Sequence, residues 1–314
     1  MAVRAVGFHQ AGGPEVLRVV DLPERHAGPG QMRIRVHAAD INPSDVATRQ
    51  GAVPRALGGE PPYVLGWDAA GTLDEIGEGV ETDLSLGDRV VAIVFPYGPD
   101  PGGYAESVVV PAEQVVRAPA GADHAAACTL PMNGLTARRM LDLLDLEPGA
   151  TLAVTGAAGQ LGGFVTQLAK ADGLRVIGDA APKDRDLVRD LGADEVVDRG
   201  DDVAARIREA VPDGVDAVAD CAVQNDLVVP AVRDGGRVST VRGFQADAER
   251  GITYHPVMVT DYLRDHAKLD RLRNQAESGV LTLRVAATYK PEQAPEAHRR
   301  FEEGGVRGRL VIEF

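Results

Sequence analysis

Residues 154–163 read VTGAAGQLGG. A short apolar strand, TLAV, ends at Val154, and Gly156, Gly159 and Gly162 follow at intervals of three. Positions without a Cβ let the chain turn sharply, let its backbone approach a pyrophosphate and let a helix pack on its strand. The next residues, QLGGFVTQLAKA, read as a helix whose unpaired N–H groups point at the phosphates. Ala158, Gln160 and Leu161 complete this junction, so the stretch from Gly156 to Gly162 is expected to cradle a dinucleotide. Gln160 is bulkier than the usual glycine, but at a helix start its side chain can point to solvent. The same spacing could also close a ligand-free turn, and the surrounding pattern has to decide.

Downstream, strands and helices alternate: LRVIG, a helix over DRDLVRDLG, EVV, a helix over DDVAARIREAV, VDAVADCA, another helix, and GRVSTV. The strand LRVIG is expected to end around Gly178. Alternation of this kind implies a parallel sheet with helices on both faces, and an all-apolar strand such as VDAVAD fits its interior. After a less regular excursion over 242–260, a helix is expected from Asp261 to Ser278. LRVAATY reads as the last strand of the sheet, PEQAPEAHRRFEEGG as a helix and RGRLVIEF as a final strand. Upstream, AVRAVGF, EVLRVVDL, QMRIRVHAA, GTLDEIG, DRVVAIV and YAESVVV are short strands with Gly/Pro-rich turns, the signature of a barrel or sandwich. DHAAACTLPMNGLTARRMLDLL reads as helix. The expected organisation is α/β: a β-rich domain from 1–120 and 283–314, and a doubly wound nucleotide-binding domain over 121–282.

The 314 residues suffice for about two domains, and a 44% apolar, 25% charged composition is that of a globular protein. Net charge is 33 − 47 = −14. Such a surface repels phosphate backbones and anionic lipid, which argues against nucleic-acid and membrane partners. MAVRAVGFHQ lacks the apolar core of a signal peptide, and Cys128 and Cys221 alone make no disulfide framework. A reduced, cytoplasmic protein is expected.

TGAAGQLG resembles the turn of short-chain, NmrA-like reductases, but there it lies near the N-terminus. Here the preceding stretches INPSDVATRQG, PYVLGWDAAGTLDEIGEGVETDLSLGDRVVAI and GGYAESVVVPAEQVVRAP resemble the GroES-like catalytic domain of medium-chain dehydrogenases/reductases. LPMNGLTA, the glycine turn, DLVRDLGADEVVDRGDD and the closing RVAATYKPEQAPEAHRRFEEGGVRGRLVIEF extend the likeness over nearly the whole chain. Within that superfamily the chain is similar to the zinc-independent quinone oxidoreductases, the ζ-crystallin-like group. The resemblance implies a GroES-like domain beside a Rossmann domain, with cofactor and substrate meeting in the cleft between them. It also implies a homodimer formed through edges of the nucleotide-domain sheets.

Zinc-dependent relatives place Cys where this chain has Asn42, and Gly-His-Glu where it has Gly66, Trp67 and Asp68. A Trp cannot coordinate zinc, and Asn is a poor substitute for thiolate. The Cys-rich lobe of those relatives is replaced by FPYGPDPGGY, and the seven histidines are scattered. No zinc is expected.

Cofactor choice turns on the end of the second nucleotide-domain strand, where an acid binds a ribose 2′-hydroxyl and cations bind a 2′-phosphate. The family register puts Ala180 at the acidic position, with Asp179 one place early. Lys183, Arg185 and Arg199 form a cationic group, which favours NADPH over NADH, although Asp179 could still hold a 2′-hydroxyl. Asn133 and Thr136, in an NGLTA turn, are expected near the nicotinamide or its ribose. Arg242, Gly243 and Phe244 follow the fifth strand, at the carboxyl end where ligands collect.

Without metal, the acceptor should already be electron-poor: a quinone or an α,β-unsaturated carbonyl. Asn42 could donate its amide to the substrate carbonyl, or simply cap the helix after Pro43. Tyr104 could wall the site or donate a proton, or be packed in the core. Trp67, Phe95, Asn133 and Phe244 are the expected pocket wall, with loops 48–62, 95–104 and 243–260 shaping it. Some relatives carry a Tyr where this chain has Ala47, so the proton donor is open. Ser44 and Asp45 read as a helix start. An enoyl-thioester reductase or a pathway-specific biosynthetic reductase is the alternative enzyme reading. An NADP(H)-binding sensor or interaction protein without turnover is the alternative of another class.

Overall fold

A computed structural model describes residues 2–57, 59–247 and 249–314. The chain divides into two compact units. The first holds the chain up to Met132 together with Leu263–Glu277 and Leu283–Phe314. The second holds Asn133–Tyr262 and Ser278–Thr282.

In the first unit, β1 (Ala2–Phe8), β2 (Arg18–Pro23), β3 (Gln31–Asp40), β4 (Tyr63–Val64), β5 (Asp68–Ile76), β6 (Arg89–Ile93), β7 (Ser107–Pro111) and β8 (Val115–Arg117) follow in order. Sheet order β2-β1-β4 makes a small antiparallel sheet. The large sheet runs from β3 through β5 and β6 to β8, with β7 also paired to β3. Alternation along β3 turns Met32, Ile34 and Val36 inward against Leu73, Val90, Ala92, Val108 and Val115. EVLRVVDL is not one strand. Pro14 opens a 3-10 turn over Pro14–Val16, so β2 begins only at Arg18. Helix α1 (Pro43–Arg49) follows β3 directly.

The expected long helix over 123–144 is two. α2 (His124–Ala127) stops short of Pro131, which opens α3 (Pro131–Leu144). A residue before proline is driven out of the helical region, while proline itself suits the first helical position. Helix α3 passes from the first unit to the second, so Asn133 and Thr136 lie in its first turns rather than in a loop.

The second unit contains β9 (Thr151–Thr155), α4 (Gln160–Ala171), β10 (Arg175–Ala180), α5 (Arg185–Asp190), β11 (Glu195–Asp198), α6 (Val203–Ala210), β12 (Val215–Asp220), β13 (Val232–Thr240) and β14 (Thr253–Pro256). All pairings in this sheet are parallel, in the order β11-β10-β9-β12-β13-β14. The order steps outward both ways from β9, the topology of a doubly wound nucleotide-binding sheet. Ala153, Ile177, Val203, Ile207, Val218 and Val238 are part of its core.

Three expectations are corrected here. β10 runs on to Ala180 instead of ending at Gly178. The sheet's last strand is β14, inside the supposedly irregular excursion. It has no clean apolar alternation because it is an edge, where Pro256 is tolerated. LRVAATY instead gives β15 (Val285–Tyr289), which pairs parallel with β16 (Arg309–Glu313) in the first unit's large sheet. The helix expected from Asp261 is α7 (His266–Glu277), whose start Asp265 caps by accepting the Lys268 N–H at 3.0 Å. It belongs to the first unit, as do residues 121–132. Helix α8 (Ala294–Glu302) packs Ala294 and Ala297 into the first unit's core with Phe8, Ile41 and Leu65. No described helix is long and apolar enough to cross a membrane.

The glycine turn is built as its spacing requires. Gly156 adopts a positive φ of 65°. A Cβ on Gly162 would stand 2.3 Å from the Gly156 carbonyl oxygen, so α4 approaches the turn only because that atom is missing. Gly162→Ala is therefore expected to push α4 off the turn, costing about 1–3 kcal/mol, read as a lower thermal unfolding midpoint.

Candidate functional site

In the first unit, β3, α1, β5 and β16 meet at a fully buried polar cluster. Asp40 ends β3, Asn42 caps α1, Asp45 lies in its first turn, Asp68 opens β5 and Arg309 opens β16. Asn42 Nδ2 donates to Asp40 Oδ1 at 2.9 Å and to Asp68 Oδ2 at 2.8 Å. Asp68 Oδ1 accepts the Met132 N–H at 2.6 Å, and Arg309 Nε stands 3.2 Å from Asp40 Oδ2. Burial raises the pKa of both carboxyls. Asp68 goes well above its ordinary range because Asp40 adds a neighbouring charge and accepts a hydrogen bond from it. At Asp40 the facing Arg309 counters the effect of burial.

Asp45 is the second hub. Its Oδ2 accepts the Asn42 N–H at 2.9 Å and the Tyr104 hydroxyl at 3.1 Å, and its Oδ1 accepts the Gly66 N–H at 3.1 Å. Burial lifts its pKa to about 7 against the lowering effect of the Asn42 and Gly66 bonds.

For two residues this geometry takes the structural alternative: Asn42 caps α1 and Tyr104 is packed in the core. The Asn42 amide does not face a substrate carbonyl, because both its hydrogens are held by buried carboxylates. Tyr104 is fully buried, and its hydroxyl is held by Asp45. Burial and Asp45 keep that phenol well above its ordinary pKa, so it is neither an exposed wall nor a poised proton donor. Family position places both residues without revealing the carboxylates that face them.

Trp67 and Phe95 do stand together. Trp67 meets Phe95 edge-on at 5.7 Å and Tyr97 edge-on at 5.1 Å. Phe95 remains 37% exposed, so the aromatic group reaches the surface of its unit. Tyr97 stands out little in the sequence. FPY after an apolar strand was its only signal.

The donor set here does not fit a catalytic zinc. Trp67 offers no lone pair, the Asn42 amide is bound to two carboxylates, and Asp68 is engaged by Asn42 and Met132. Among the described residues no group of three or more His, Cys, Asp or Glu side chains is arranged to hold a metal ion.

In the second unit, Asp179 lies inside β10 and is only 5% exposed. Its Oδ1 accepts the Ala157 N–H at 3.2 Å, and the Gly156 amide also acts on it. The reading of Asp179 as a free 2′-hydroxyl ligand is thereby corrected: its carboxyl is turned back onto the glycine turn. Ala180 is buried and carries no polar group. Lys183 and Arg199 are exposed, whereas Arg185 is bound to Asp198 at 2.7 Å. Gln160 does not reach solvent. It is 5% exposed, and neither amide atom has a hydrogen-bond partner among the described residues. Asn133 is buried and Thr136 half-buried on α3. After β13, Arg242 takes a left-handed φ of 62° and Gly243 one of 78°. The Phe244 carbonyl accepts from Thr240 Oγ1 at 2.8 Å, and its ring meets Tyr254 edge-on. Arg242 is thus a non-glycine residue held in the left-handed region just beyond the carboxyl end of β13. Glycine cradle, helix start and exposed cations together fit a dinucleotide.

Comparison with known proteins agrees with this architecture. Residues 28–120 match the family described as alcohol dehydrogenase GroES-like domain, and residues 191–312 that described as zinc-binding dehydrogenase. The chain is 28% identical over 336 residues to a 2-haloacrylate reductase of Burkholderia sp, covering 99% of this chain and 98% of that protein. The quinone oxidoreductase from Coxiella burnetii superposes with a TM-score of 0.87 at 28% identity, covering 100% of both chains. A mycobacterial protein solved with NADPH superposes with a TM-score of 0.86 at 28% identity, covering 99% of this chain and 100% of that one.

Burial gives the first unit a measurable pH signature. His298 is fully buried edge-on to Tyr104, with both ring nitrogens unpartnered among the described residues and its pKa lowered to about 3 by burial. A lowered base stabilises the fold fully above its ordinary 6.5, and that contribution is lost as pH falls toward about 3. His298→Leu is expected to flatten the loss of stability across that window by on the order of a few kcal/mol, measured by denaturant unfolding at stepped pH. Asp45 has the opposite sign. Its raised pKa stabilises fully below 3.8 and loses that contribution as pH rises through about 7. Asp45→Asn sets an amide N–H against the Gly66 or Asn42 N–H and is expected to cost about 1–3 kcal/mol in the same assay.

Proposed function

The chain belongs to the medium-chain dehydrogenase/reductase superfamily, and from that premise we propose that it is a zinc-independent, NADPH-dependent reductase of quinones or α,β-unsaturated carbonyls. The observation that carries this reading is Trp67 standing between Gly66 and Asp68, edge-on to Phe95 and Tyr97, where metal-binding relatives would need a ligand. An aromatic wall binds flat, conjugated acceptors, and an acceptor that needs no Lewis acid must already be electron-poor. The relatives named for quinone and 2-haloacrylate reduction act on acceptors of that kind, which supports the same class.

In the second unit, the turn from Gly156 to Gly162 and the start of α4 would hold the pyrophosphate, with Ala158, Gln160 and Leu161 around it. The buried, unpartnered Gln160 amide is suited to a polar ligand rather than to solvent. Lys183 and Arg199 would hold the 2′-phosphate, with Arg185 fixed beside them by Asp198. With Asp179 committed to the turn and Ala180 apolar, no free acid competes at the end of β10. Asn133, Thr136, Arg242, Gly243 and Phe244 would attend the nicotinamide end. Bound there, the reduced nicotinamide supplies the hydride. In the first unit, Trp67 and Phe95 would orient the acceptor. The open edge of β14 suits pairing with a second copy, so a homodimer is part of this reading.

Wild-type protein is expected to reduce 2-cyclohexenone and 1,4-benzoquinone with NADPH at higher kcat/KM than with NADH. Lys183→Ala/Arg199→Ala together should weaken NADPH binding about tenfold or more, the loss of charge-assisted bonds, and leave NADH within about twofold. Equal affinity for the two cofactors, unmoved by the substitutions, would contradict the phosphate assignment.

A further inference from the structure

Tyr97 sits two residues beyond Phe95 on the loop after β6 and is partly exposed. Its hydroxyl lies 2.9 Å from Thr48 Oγ1. Thr48 already donates its single proton to the Ser44 carbonyl at 2.7 Å, which leaves the phenol as donor of the pair. The Thr48 hydrogen bond favours the ionised form of the phenol. Burial and the nearby Asp45 push the other way, so the resting phenol keeps its proton. A hydroxyl held this close can turn to donate to the phenolic oxygen when that oxygen takes up negative charge. The ring cannot wander, because Trp67 and Phe95 meet it edge-on at 5.1 and 5.7 Å. Helix α1 has no aromatic hydroxyl of its own, and the Tyr104 hydroxyl is sealed against Asp45. Tyr97 therefore presents a phenol on the aromatic wall itself.

We propose that Tyr97 is the catalytic proton donor of this enzyme, an inference that rests on the reductase reading above. When the β-carbon of an enone accepts hydride from reduced nicotinamide, the alkene π pair shifts and the carbonyl oxygen becomes an enolate. The Tyr97 hydroxyl turns from Thr48 to the enolate oxygen, its O–H bond breaks, the proton passes to that oxygen and the bonding pair stays on the phenolic oxygen. The enol tautomerises to the saturated ketone. Thr48 holds the phenolate by turning its hydroxyl from the Ser44 carbonyl to Tyr97, and water restores the proton. The acceptor gains one hydride and one proton. A quinone needs this donor less, because its hydroquinone monoanion is stable enough to be protonated by water.

The test compares wild type, Tyr97→Phe and Thr48→Val on 2-cyclohexenone and 1,4-benzoquinone with NADPH across pH. Tyr97→Phe is expected to lose about 100-fold in kcat/KM on the enone, the usual weight of a general acid, and under about tenfold on the quinone. The alkaline limb of the enone profile should vanish in Tyr97→Phe and move to higher pH in Thr48→Val. As a readout apart from turnover, 4-nitrophenol, a mimic of the enolate, should bind Tyr97→Phe more weakly by its visible absorption. Equal losses on both acceptors, or an unchanged enone profile in both variants, would overturn the inference. A wild type that oxidises NADPH with neither acceptor would sink the reductase reading and this inference with it. A wild type active on both, with Tyr97→Phe unaffected, removes Tyr97 alone.

Discussion

The Asn42 amide, held between the Asp40 and Asp68 carboxyls, is the contact on which the first unit's site depends. It ties the end of β3 to the start of β5 across the first turn of α1, and Arg309 brings in β16 through Asp40. Ion pairs in such burial seldom add much stability, because desolvation offsets the attraction, but breaking one leaves an uncompensated charge. What the cluster does supply is position. Asp68 is fixed by Asn42 and the Met132 amide, and Gly66 by Asp45, so the intervening Trp67 has little freedom. The aromatic group of Trp67, Phe95 and Tyr97 inherits its geometry from this polar knot.

The second unit shows a related economy. Asp179 is one residue from the position where an acid reads a ribose, yet its carboxyl braces the Gly156–Ala157 amides. A change of one position along a strand moves a side chain to the opposite face. That register converts a residue expected to choose the cofactor into one that holds the turn. Lys183, beyond β10, and Arg199, beyond β11, are exposed.

Much of this architecture was legible because its signals are local. The spacing of Gly156, Gly159 and Gly162, the alternation of strands and helices after Thr151, and the period-two pattern of β3 each follow from backbone geometry within a few residues. What escaped had non-local causes. The exception is the break before Pro131, a local signal inside an Ala/Leu-rich run. β14 owes its strand state to pairing with β13, and its composition gives no hint of it. Gln160 is buried by surroundings that its position at a helix start does not disclose. For Asn42 and Tyr104, family register says where a residue lies and nothing of its hydrogen-bond partners. Asp40, Asp45 and Asp68 lie 5 and 23 positions apart, and only the fold makes them one cluster.

The central claim is that this chain passes hydride from NADPH to an electron-poor carbon without metal. The most direct measurement uses NADPH deuterated at the transferable nicotinamide position, chelator-treated protein and 2-cyclohexenone, with the product analysed by NMR. Deuterium at the β-carbon of cyclohexanone, at a rate unchanged by chelation, is the predicted result. Oxidation that stops on chelation, deuterium lost to solvent, or tight NADPH binding with no transfer to any enone or quinone would contradict it.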